Sequence, residues 1–519
     1  MRDSAASRPG GPVGALSDSR KTFTAWPPRP GAKTGPVCYT VCICDLYNIQ
    51  RGTTVENRYK KLAGNTLIFA ISNFSSKLLS LFVQPFLTHA MKEVSEVGIT
   101  KLTSQCANLL IPLVSLGVSF AIIRFGLDKS NSKSQVFTNG LLTILLGFAG
   151  LLVLWPVARL IPIFRDYIAL LYIYVLVSCL RTLCTQFVRS RQLNRLVAVD
   201  GILCTLATLV FYVLFLVVIP MGANGYLLAI ICGDACSALF VFFGAGLRRY
   251  VNFKRVNLDL WKNMMRYALP MIPAQISFWI INASDLFFVT YMEGEQGTYW
   301  SGLLGTGYFL PTILTTLGTI FYEAWQLSAV TEEYERERFF SKVFHIYQSV
   351  MFCCGAGIIL LCRPMMFLFR QNFYDAWKFV PFLAIATVYS CFNQFLNSIY
   401  VVEKRSTLSL YTMMAGAVAN AILNFFMIRA WGPNGATVAS FLSYLLVFLL
   451  RAINTRGLLQ VNFSVGRLAF NTGLLLLEAW LMITEAALWP LWCVLITGFV
   501  CLFNFRGVWD MARKVLRLR

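Results

Sequence analysis

The chain has 519 residues, of which 57% are hydrophobic and 13% charged, and its mean hydropathy is +0.63. These values lie outside the range of soluble globular proteins and indicate a membrane protein that crosses the bilayer several times. The net charge of +21 does not indicate nucleic-acid binding, because the lysines and arginines punctuate apolar runs instead of clustering on a soluble module. We therefore expect no nucleic-acid partner.

Metal sites and disulfides are also disfavoured. Of the 15 cysteines, 12 are scattered through apolar segments and three, Cys38, Cys42 and Cys44, lie near the N-terminus; there is no CxxC pair, so we interpret most of them as small core residues. The two histidines, His89 and His345, lie far apart in the sequence, which argues against a histidine-rich metal site. No metal, cofactor or catalytic residue is predicted.

The N-terminal segment, residues 1–55, differs in kind from the rest of the chain. It is rich in Pro, Gly and Ser and has no apolar run of the length found in signal peptides. We expect a disordered tail.

Apolar segments of about 20 residues, long enough to cross ~30 Å of hydrocarbon as helix, follow one another from Leu62 onward. The sequence thus predicts an all-α polytopic membrane protein with about fourteen transmembrane helices. The predicted spans are 62–88, 98–123, 136–158, 166–188, 196–220, 225–247, 267–292, 300–325, 340–362, 376–402, 407–429, 434–455, 464–485 and 487–505.

The number of basic residues alternates between high and low from one predicted loop to the next. Most of them, between Arg51 and Arg519 and including Arg451, fall on the side of the N-terminus, whereas few, such as Arg370, fall on the other side. The positive-inside rule then predicts that both termini are cytoplasmic.

An internal repeat accompanies the spans. Gly222-Ala-Asn-Gly225 opens the sixth predicted helix, and Gly432-Pro-Asn-Gly435 opens the twelfth in the same way. We expect two pseudo-symmetric six-helix lobes, an N-lobe at 56–250 and a C-lobe at 251–458, followed by two C-terminal helices and a basic cytoplasmic tail at 459–519.

The first two predicted helices carry polar stripes. Asn73, Lys77 and Gln84 share one face of the first helix, and Asn108 lies on the stripe of the second, which ends at Arg124. A lysine in the middle of a membrane span is costly against lipid, so we expect Lys77 to face protein or a wet cavity.

The seventh predicted helix is the second informative stretch. Pro270 and Pro273 interrupt its regular hydrogen bonding near the start, and Gln275, Asn282 and Asp285 follow along one side. Asp285 is predicted either to couple transport to an ion or to form a structural pair with Lys77.

Two further arginines complete the candidate set. Arg181 shares a helix face with Ser178 and Thr185, and it is expected either to face the cavity or to reach the inner surface by snorkelling. The full set of predicted substrate-binding residues is Lys77, Arg124, Arg181, Arg266, Asn73, Gln84, Asn108, Gln275 and Asn282.

Several stretches together resemble the Wzx-type polysaccharide exporters of the multidrug/oligosaccharidyl-lipid/polysaccharide flippase superfamily. The resemblance covers about residues 57–510, and it is carried by NTLIFAISNFSSKLL with QPFLT, by LLIPLVSLG with IIRF, by RYALPMIP, and by the run from Ile320 to Val330. In that family, two six-helix lobes surround a central cavity.

The resemblance implies a flippase, not an enzyme, that moves a lipid-linked oligosaccharide, commonly on undecaprenyl pyrophosphate, across the cytoplasmic membrane. It matches Lys77 and Arg124 to basic cavity positions. Membrane lipids are implied partners, and a polysaccharide polymerase and glycosyltransferases are possible ones.

Four alternatives remain open at this stage. One is a purely structural or scaffolding membrane protein, for which charges that face the lumen would be an unexplained cost. A lipid II-type cargo would suit the same fold, and so would a multidrug antiporter that extrudes amphipathic cations. A membrane glycan polymerase or glycosyltransferase would need carboxylates or histidines on a long outer loop, and the longest predicted outer connection, around Arg363 to Trp377, is short.

The topology is directly testable. Single cysteines introduced at cytoplasmic loop positions should be labelled only after permeabilisation, and cysteines at outer positions should be labelled in intact cells. We expect the first result at 129, 191, 255, 338 and 456, and the second at 294 and 370. Labelling of position 255 from outside would overturn the two-lobe interpretation, because this position lies between the lobes.

Overall fold

The structure is a computed structural model that describes residues 83–91, 93–128, 130–331, 336–403 and 405–517. The tail at 1–55 and the predicted site residues Asn73 and Lys77 lie outside these ranges. The described residues belong to one compact unit.

Every regular element in the described ranges is a helix. We number the principal helices α1 (83–90), α2 (Val94–Val114), α3 (Val118–Leu127), α4 (Lys133–Val153), α5 (Ile168–Ser190), α6 (Asn194–Tyr212), α7 (Gly222–Gly244), α8 (Leu258–Ala268), α9 (Ile272–Met292), α10 (Gly297–Gly307), α11 (Phe309–Thr331), α12 (Arg336–Met365), α13 (Val380–Val402), α14 (Ser406–Trp431), α15 (Asn434–Thr455), α16 (Val465–Ile483) and α17 (Trp489–Arg517).

The predicted membrane spans are recovered closely. Among the described residues, 12 helical segments are long and apolar enough to cross a membrane, and they coincide with the second to the thirteenth predicted spans. The fourteenth coincides with the shorter apolar helix Trp489–Phe505, and most of the first lies outside the described residues. The prediction of an all-α polytopic membrane protein is confirmed.

One predicted helix is broken. The span 98–123 was expected to be continuous, but α2 ends at Val114 and α3 begins at Val118. Pro112 cannot donate a backbone hydrogen bond, and Gly117 has a φ of 63°, a conformation that favours glycine. A Cβ at Gly117 would lie 3.1 Å from the carbonyl oxygen of Ala268, so the break is packed tightly against the end of α8.

The first glycine of the repeated motif has a positive φ in both places. Gly222, at the start of α7, and Gly432, in the turn before α15, have φ values of 57° and 61°. A Cβ at Gly225 would lie 2.5 Å from the oxygen of Phe215, and one at Gly435 would lie 2.0 Å from the oxygen of Met427. Each motif therefore needs one glycine for the turn and one for close helix packing.

The helices pack as two sets within the unit. We use N-lobe for α2–α7, in which α7 packs on α5 and α6, and C-lobe for α8–α15, in which α15 packs on α13 and α14. The sets meet where α2 packs on α9 and α10, and where α3 packs on α8.

Two glycines allow the closest approach between the lobes. A Cβ at Gly98 of α2 would lie 2.0 Å from the oxygen of Thr298, and a Cβ at Gly302 of α10 would lie 2.1 Å from the oxygen of Val94. Small residues at helix crossings let backbones approach in this way, which increases dispersion contact in a lipid environment. The α2–α10 crossing therefore depends on glycine at both positions.

The C-terminal hairpin, α16 with α17, packs on α12 of the C-lobe. Asn504 donates a hydrogen bond to the Asn471 side-chain oxygen at 2.9 Å, and Asn471 donates in return at 3.3 Å. At one end, the Arg363 guanidinium lies 3.6 Å from the Trp377 ring centroid and 4.2 Å from that of Trp489. This cation–π stack fixes the hairpin to the C-lobe.

Contacts between loops agree with the prediction that successive loops lie on opposite sides of the membrane. The Ser134 hydroxyl donates to the oxygen of Tyr250, and Arg191 donates to the oxygen of Ala245, so these predicted cytoplasmic loops lie together. Arg363 pairs with Glu485 at 2.5 Å across two predicted outer loops. Which of these sides faces the cytoplasm stays a prediction.

Arg451 corrects the charge assignment. It was assigned to a basic cytoplasmic loop, but it belongs to α15 and is 3% exposed. Its position within the span is therefore not explained by the positive-inside rule.

Substitution at the lobe contact tests this packing. In Gly98→Val, the new side chain meets the backbone of Thr298, which cannot rotate away, so we expect a loss of about 1–3 kcal/mol in stability. Gly150→Val on α4 is the matched control, because a Cβ there meets nothing within 4 Å. Thermal unfolding of the purified protein should show a lower Tm for the first variant only, and equal Tm values would contradict the close contact.

Candidate functional site

Three adjoining cavities meet at Asn282 of α9. Cavity A, about 350 Å³, lies between the lobes and includes Asn108, Gln275 and Trp279 in its wall. Cavity B, about 360 Å³, includes Gln84 and Lys101, and cavity C, about 210 Å³, extends into the C-lobe. Their volumes fall in or near the range of small-molecule sites.

Cavity A contains amides and aromatic rings. The structure brings Asn108, Gln275 and Asn282 together on its wall with Phe278 and Trp279. None of the described residues that line this cavity is charged. Ser115 and Ser119, at the break between α2 and α3 and just after it, also line cavity A, so the polar wall continues past the break.

Hydrogen bonds fix the orientation of two wall residues. The Trp279 indole N–H donates to the oxygen of Gln105 at 2.7 Å, which ties the C-lobe to α2. Asn282 donates to the oxygen of Phe278 at 2.7 Å and accepts from the Tyr444 hydroxyl at 2.7 Å. These side chains are therefore preorganised.

Lys101 is the cation that sequence analysis missed. It lies on α2, lines cavity B, and donates from Nζ to Gln84 Oε1 at 2.7 Å. Gln84 was predicted, whereas Lys101 was not singled out although it precedes Asn108 by seven residues on the same polar stripe. That spacing was the available signal. Lys101 is the charged residue among the described residues that line cavity B.

Asp285 does not line these cavities, in contrast to its predicted place beside Gln275 and Asn282. It is fully buried, and its carboxylate accepts from the Tyr308 hydroxyl at 2.8 Å, from the Asn424 amide at 2.8 Å and from Ser440. Tyr308 itself lines cavities B and C, so one hydroxyl separates the carboxylate from the cavity.

The described residues that contact the Asp285 carboxylate are uncharged. Its hydrogen-bond donors are hydroxyls and an amide, and no lysine or arginine of the described ranges forms an ion pair with it. The predicted pair with Lys77 lies outside the described residues and stays untested. Asn420 Nδ2 and Asn424 Oδ1 beside it have no hydrogen-bond partner among the described residues.

Arg181 was predicted to face the cavity or the inner surface, and the structure shows neither. Its Nη1 lies 3.1 Å from Asp234 Oδ1, and its Nε donates to the Ser237 hydroxyl at 2.9 Å. The predicted face of α5 is therefore turned toward α6 and α7 within the N-lobe.

Two carboxylates inside the N-lobe explain this orientation. Asp234 also accepts from Ser178, and Asp200 accepts from Ser237 and Thr185. Both aspartates are buried within apolar spans. An ionisable residue in a membrane span signals a buried partner or a site, and this signal was present in the sequence but was not used.

Arg124 and Arg266 are exposed and do not line the three cavities. The guanidinium of Arg124 lies 4.3 Å from the ring centroid of Tyr267, next to Arg266 at the end of α8. The predicted role of both arginines in substrate binding is therefore not supported within the cavities, although they lie where α3 and α8 meet.

The Arg181–Asp234 contact gives a testable prediction. Arg181→Ala leaves a buried carboxylate without its cation, and we expect a loss of about 1–3 kcal/mol in stability. Arg181→Ala with Asp234→Ala should recover most of that loss, because both charges are removed. Protein abundance and Tm measure the effect, and a double variant no more stable than the single one would show that the pair is not the cause.

The cavities can hold a polar ligand that carries a negative charge. Amides and hydroxyls bind the hydroxyl groups of sugars, aromatic faces pack against apolar ring faces, and an ammonium group binds phosphate. Among the described residues, no group of three or more His, Cys, Asp or Glu side chains could hold a metal ion.

Comparisons with known proteins agree with this arrangement. Residues 62–317 match the polysaccharide biosynthesis protein family. An uncharacterized membrane protein of Methanocaldococcus jannaschii is 22% identical over 206 residues, which cover 38% of this chain and 46% of that protein. The chain thus matches less than half the length of this relative.

Solved structures show the same fold at low sequence identity. The lipid II flippase MurJ in an inward closed conformation superposes with a TM-score of 0.63 and 13% identity over 87% of this chain and 100% of MurJ. A MATE family multidrug resistance transporter of the MOP superfamily gives 0.59 in its inward-facing conformation, with 13% identity over 75% of this chain and 98% of the transporter. An outward-facing MATE transporter gives 0.52, with 15% identity over 75% and 94%.

The family match and the fold likeness point in the same direction. This multi-pass membrane protein matches the polysaccharide biosynthesis protein family over residues 62–317, and its fold is similar to that of MurJ and of MATE family transporters.

Proposed function

We propose that this protein moves a lipid-linked oligosaccharide across the cytoplasmic membrane by alternating access, for the synthesis of a surface polysaccharide. The observation that carries the proposal is the pairing of Lys101 in cavity B with the amide and aromatic wall of the adjoining cavity A. Undecaprenyl pyrophosphate is the proposed carrier of the sugar, and both chain termini are proposed to lie in the cytoplasm.

The lysine is suited to the phosphate group of the carrier. A pyrophosphate cannot cross hydrocarbon unaided, because its charges lose their hydration there. Lys101 offers an ammonium group whose hydrogen bond to neutral Gln84 leaves its charge uncompensated by that partner. A charge-assisted hydrogen bond to phosphate is therefore favourable at this position.

The neighbouring wall is suited to the sugar. Asn108, Gln275 and Asn282 offer donors and acceptors for hydroxyl groups, and Trp279 offers an indole held by its bond to Gln105. The polyprenyl tail stays in the bilayer during transfer, so no helix has to be polar on all sides.

Release on the other side requires the lobes to rearrange. The α2–α10 contact at Gly98 and Gly302 brings the lobes together at the ends of these helices that are predicted to be outer. Separation of these helices would open the cavities outward, as expected for alternating access between two repeats. Asp285 is the proposed ion-coupling residue, because a cation or proton at its carboxylate would act on the cavity wall through Tyr308.

The other functions make distinct predictions. A lipid II-type cargo would use the same cavities, and the headgroup that competes for transport separates the two. A multidrug antiporter would extrude amphipathic cations, which the Lys101 ammonium repels. A glycan polymerase or glycosyltransferase would make or join glycosidic bonds, whereas a flippase leaves the substrate chemically unchanged.

Transport by Lys101 variants tests the proposal. The purified protein is reconstituted in liposomes with a fluorescent polyprenyl-pyrophosphate disaccharide, and transfer is followed by the accessibility of its headgroup to an external reagent. Lys101→Gln should lower the rate at least about tenfold, since the charge is lost while an amide donor to Gln84 remains. Lys101→Arg should keep partial activity.

The control is Lys378→Gln, which removes an exposed lysine that pairs with Asp375 at 3.0 Å outside the cavities. It should transport like the original protein. Transfer of a cationic dye but not of the glycolipid would favour the antiporter, and a glycan product of new size would favour the enzyme. Full transport by Lys101→Gln at equal abundance would refute the phosphate-binding role of Lys101.

A further inference from the structure

A second cavity system lies inside the C-lobe, where α9, α13 and α14 meet. This inner groove, about 370 Å³, has apolar walls that include Met271, Val401, Leu410 and Met413 and a polar floor of Asn397, Tyr400 and Ser409. It shares no lining residue with cavities A, B or C. The groove is therefore separate from the proposed transport path.

A buried cation lies beneath the polar floor. Arg451 of α15 is 3% exposed, and its guanidinium donates to the carbonyl oxygen of Asn393 at 2.6 Å, to the Thr412 hydroxyl at 3.1 Å and to the Ser409 hydroxyl at 3.4 Å. All three acceptors are neutral. No carboxylate of the described ranges lies within ion-pair distance of Arg451.

The N-lobe arginine shows what is missing here. Arg181 contacts Asp234 directly, with Asp200 in the same hydrogen-bond network. A buried charge without an opposite charge is costly, and an anionic ligand removes that cost where protein does not. Among the described residues, no opposite charge therefore compensates Arg451, and an anionic ligand in the groove would do so.

The polar floor also contains a hydroxyl group, that of Tyr400, that donates to no acceptor among the described residues. Tyr400 is fully buried and lines the groove, and its hydroxyl has no hydrogen-bond partner among the described residues. Its ring lies 5.8 Å from the Arg451 guanidinium. A buried hydroxyl without a partner costs about 1–3 kcal/mol, so a ligand that accepts from it is favoured.

We propose that the inner groove binds the phosphate headgroup of an acidic membrane phospholipid. The phosphate accepts from Tyr400 and the polar floor in the field of Arg451, and the acyl chain follows the apolar walls. Val401 and Met271 on these walls are 47% and 36% exposed, so the groove opens at the surface of the described part of the protein.

The charges favour an acidic headgroup over a zwitterionic one. Arg405 lies in the turn between α13 and α14, and its backbone N–H donates to the carbonyl oxygen of Tyr400 at 2.8 Å, so a second basic residue follows the groove floor in the chain. None of the described residues that line the groove is acidic. A membrane phospholipid is favoured over the transported lipid because the groove is separate from cavities A to C.

Lipid titration into the detergent-purified full-length protein tests this site. The probes are fluorescent phosphatidylglycerol, phosphatidylcholine, and dioleoylglycerol as a chain-matched lipid without phosphate. We expect phosphatidylglycerol to bind at least about tenfold more tightly than dioleoylglycerol. Tyr400→Phe should weaken phosphatidylglycerol binding at least about fivefold, since it removes one donor to a charged group.

Tyr400→Phe is preferred to an Arg451 substitution because the Tyr400 hydroxyl has no hydrogen-bond partner among the described residues, so its loss should leave Tm in phosphatidylcholine unchanged or higher. Tyr411→Phe, on the 65% exposed tyrosine of the same helix α14, is the matched control and should bind like the original protein. Equal binding by Tyr400→Phe, or equal affinity for dioleoylglycerol, would overturn the proposal. Displacement of phosphatidylglycerol by much lower concentrations of polyprenyl phosphate would instead identify the occupant as the transported lipid and refute the phospholipid assignment.

Discussion

The contact of α2 with α10 is the constraint on which the rest of the structure depends. Water is absent from the hydrocarbon region, so helices there gain little from hydrophobic burial against each other and rely on close packing. Gly98 and Gly302 allow the two backbones to meet, and this contact brings Lys101, three residues beyond Gly98, toward α10. A Cβ at Gly305 would lie 3.1 Å from the Lys101 side chain. The same crossing that joins the lobes thus positions the cation of the cavity.

The two lobes differ in the groups that surround their buried charges. The N-lobe neutralises Arg181 with a carboxylate from a neighbouring helix, whereas the C-lobe surrounds Asp285 and Arg451 with neutral donors and acceptors. Hydrogen bonds alone do not cancel a charge in a medium of low dielectric constant. Among the described residues, Asp285 and Arg451 are therefore the C-lobe charges without an opposite charge beside them, and these are the positions for which we propose an ion and a lipid headgroup.

The fold could be predicted from the sequence because each membrane span is a long apolar run. The glycine motifs at 222 and 432 were also recognisable, because a local stretch of sequence determines the backbone conformation there. The stripe of Asn108, Gln275 and Asn282 was also predictable, since helical spacing fixes which residues share a face. Spacing does not tell which neighbour that face meets. For this reason the Arg181 stripe was assigned to a cavity although it faces Asp234, and Arg451 was assigned to a loop although it is buried. Lys101 was missed because its importance depends on a partner, Gln84, from another helix.

The attachment of the C-terminal hairpin has a mechanical consequence. Its helices are joined by the reciprocal amides of Asn471 and Asn504, and the hairpin is held to the C-lobe by the stack of Arg363 between Trp377 and Trp489. In the proposed alternating access, the hairpin would turn with the C-lobe, and α8–α17 together contain more helices than α2–α7 and so displace more lipid. Viscous drag from the surrounding lipid rises with the amount of lipid displaced, so the N-lobe would be the body that swings more readily.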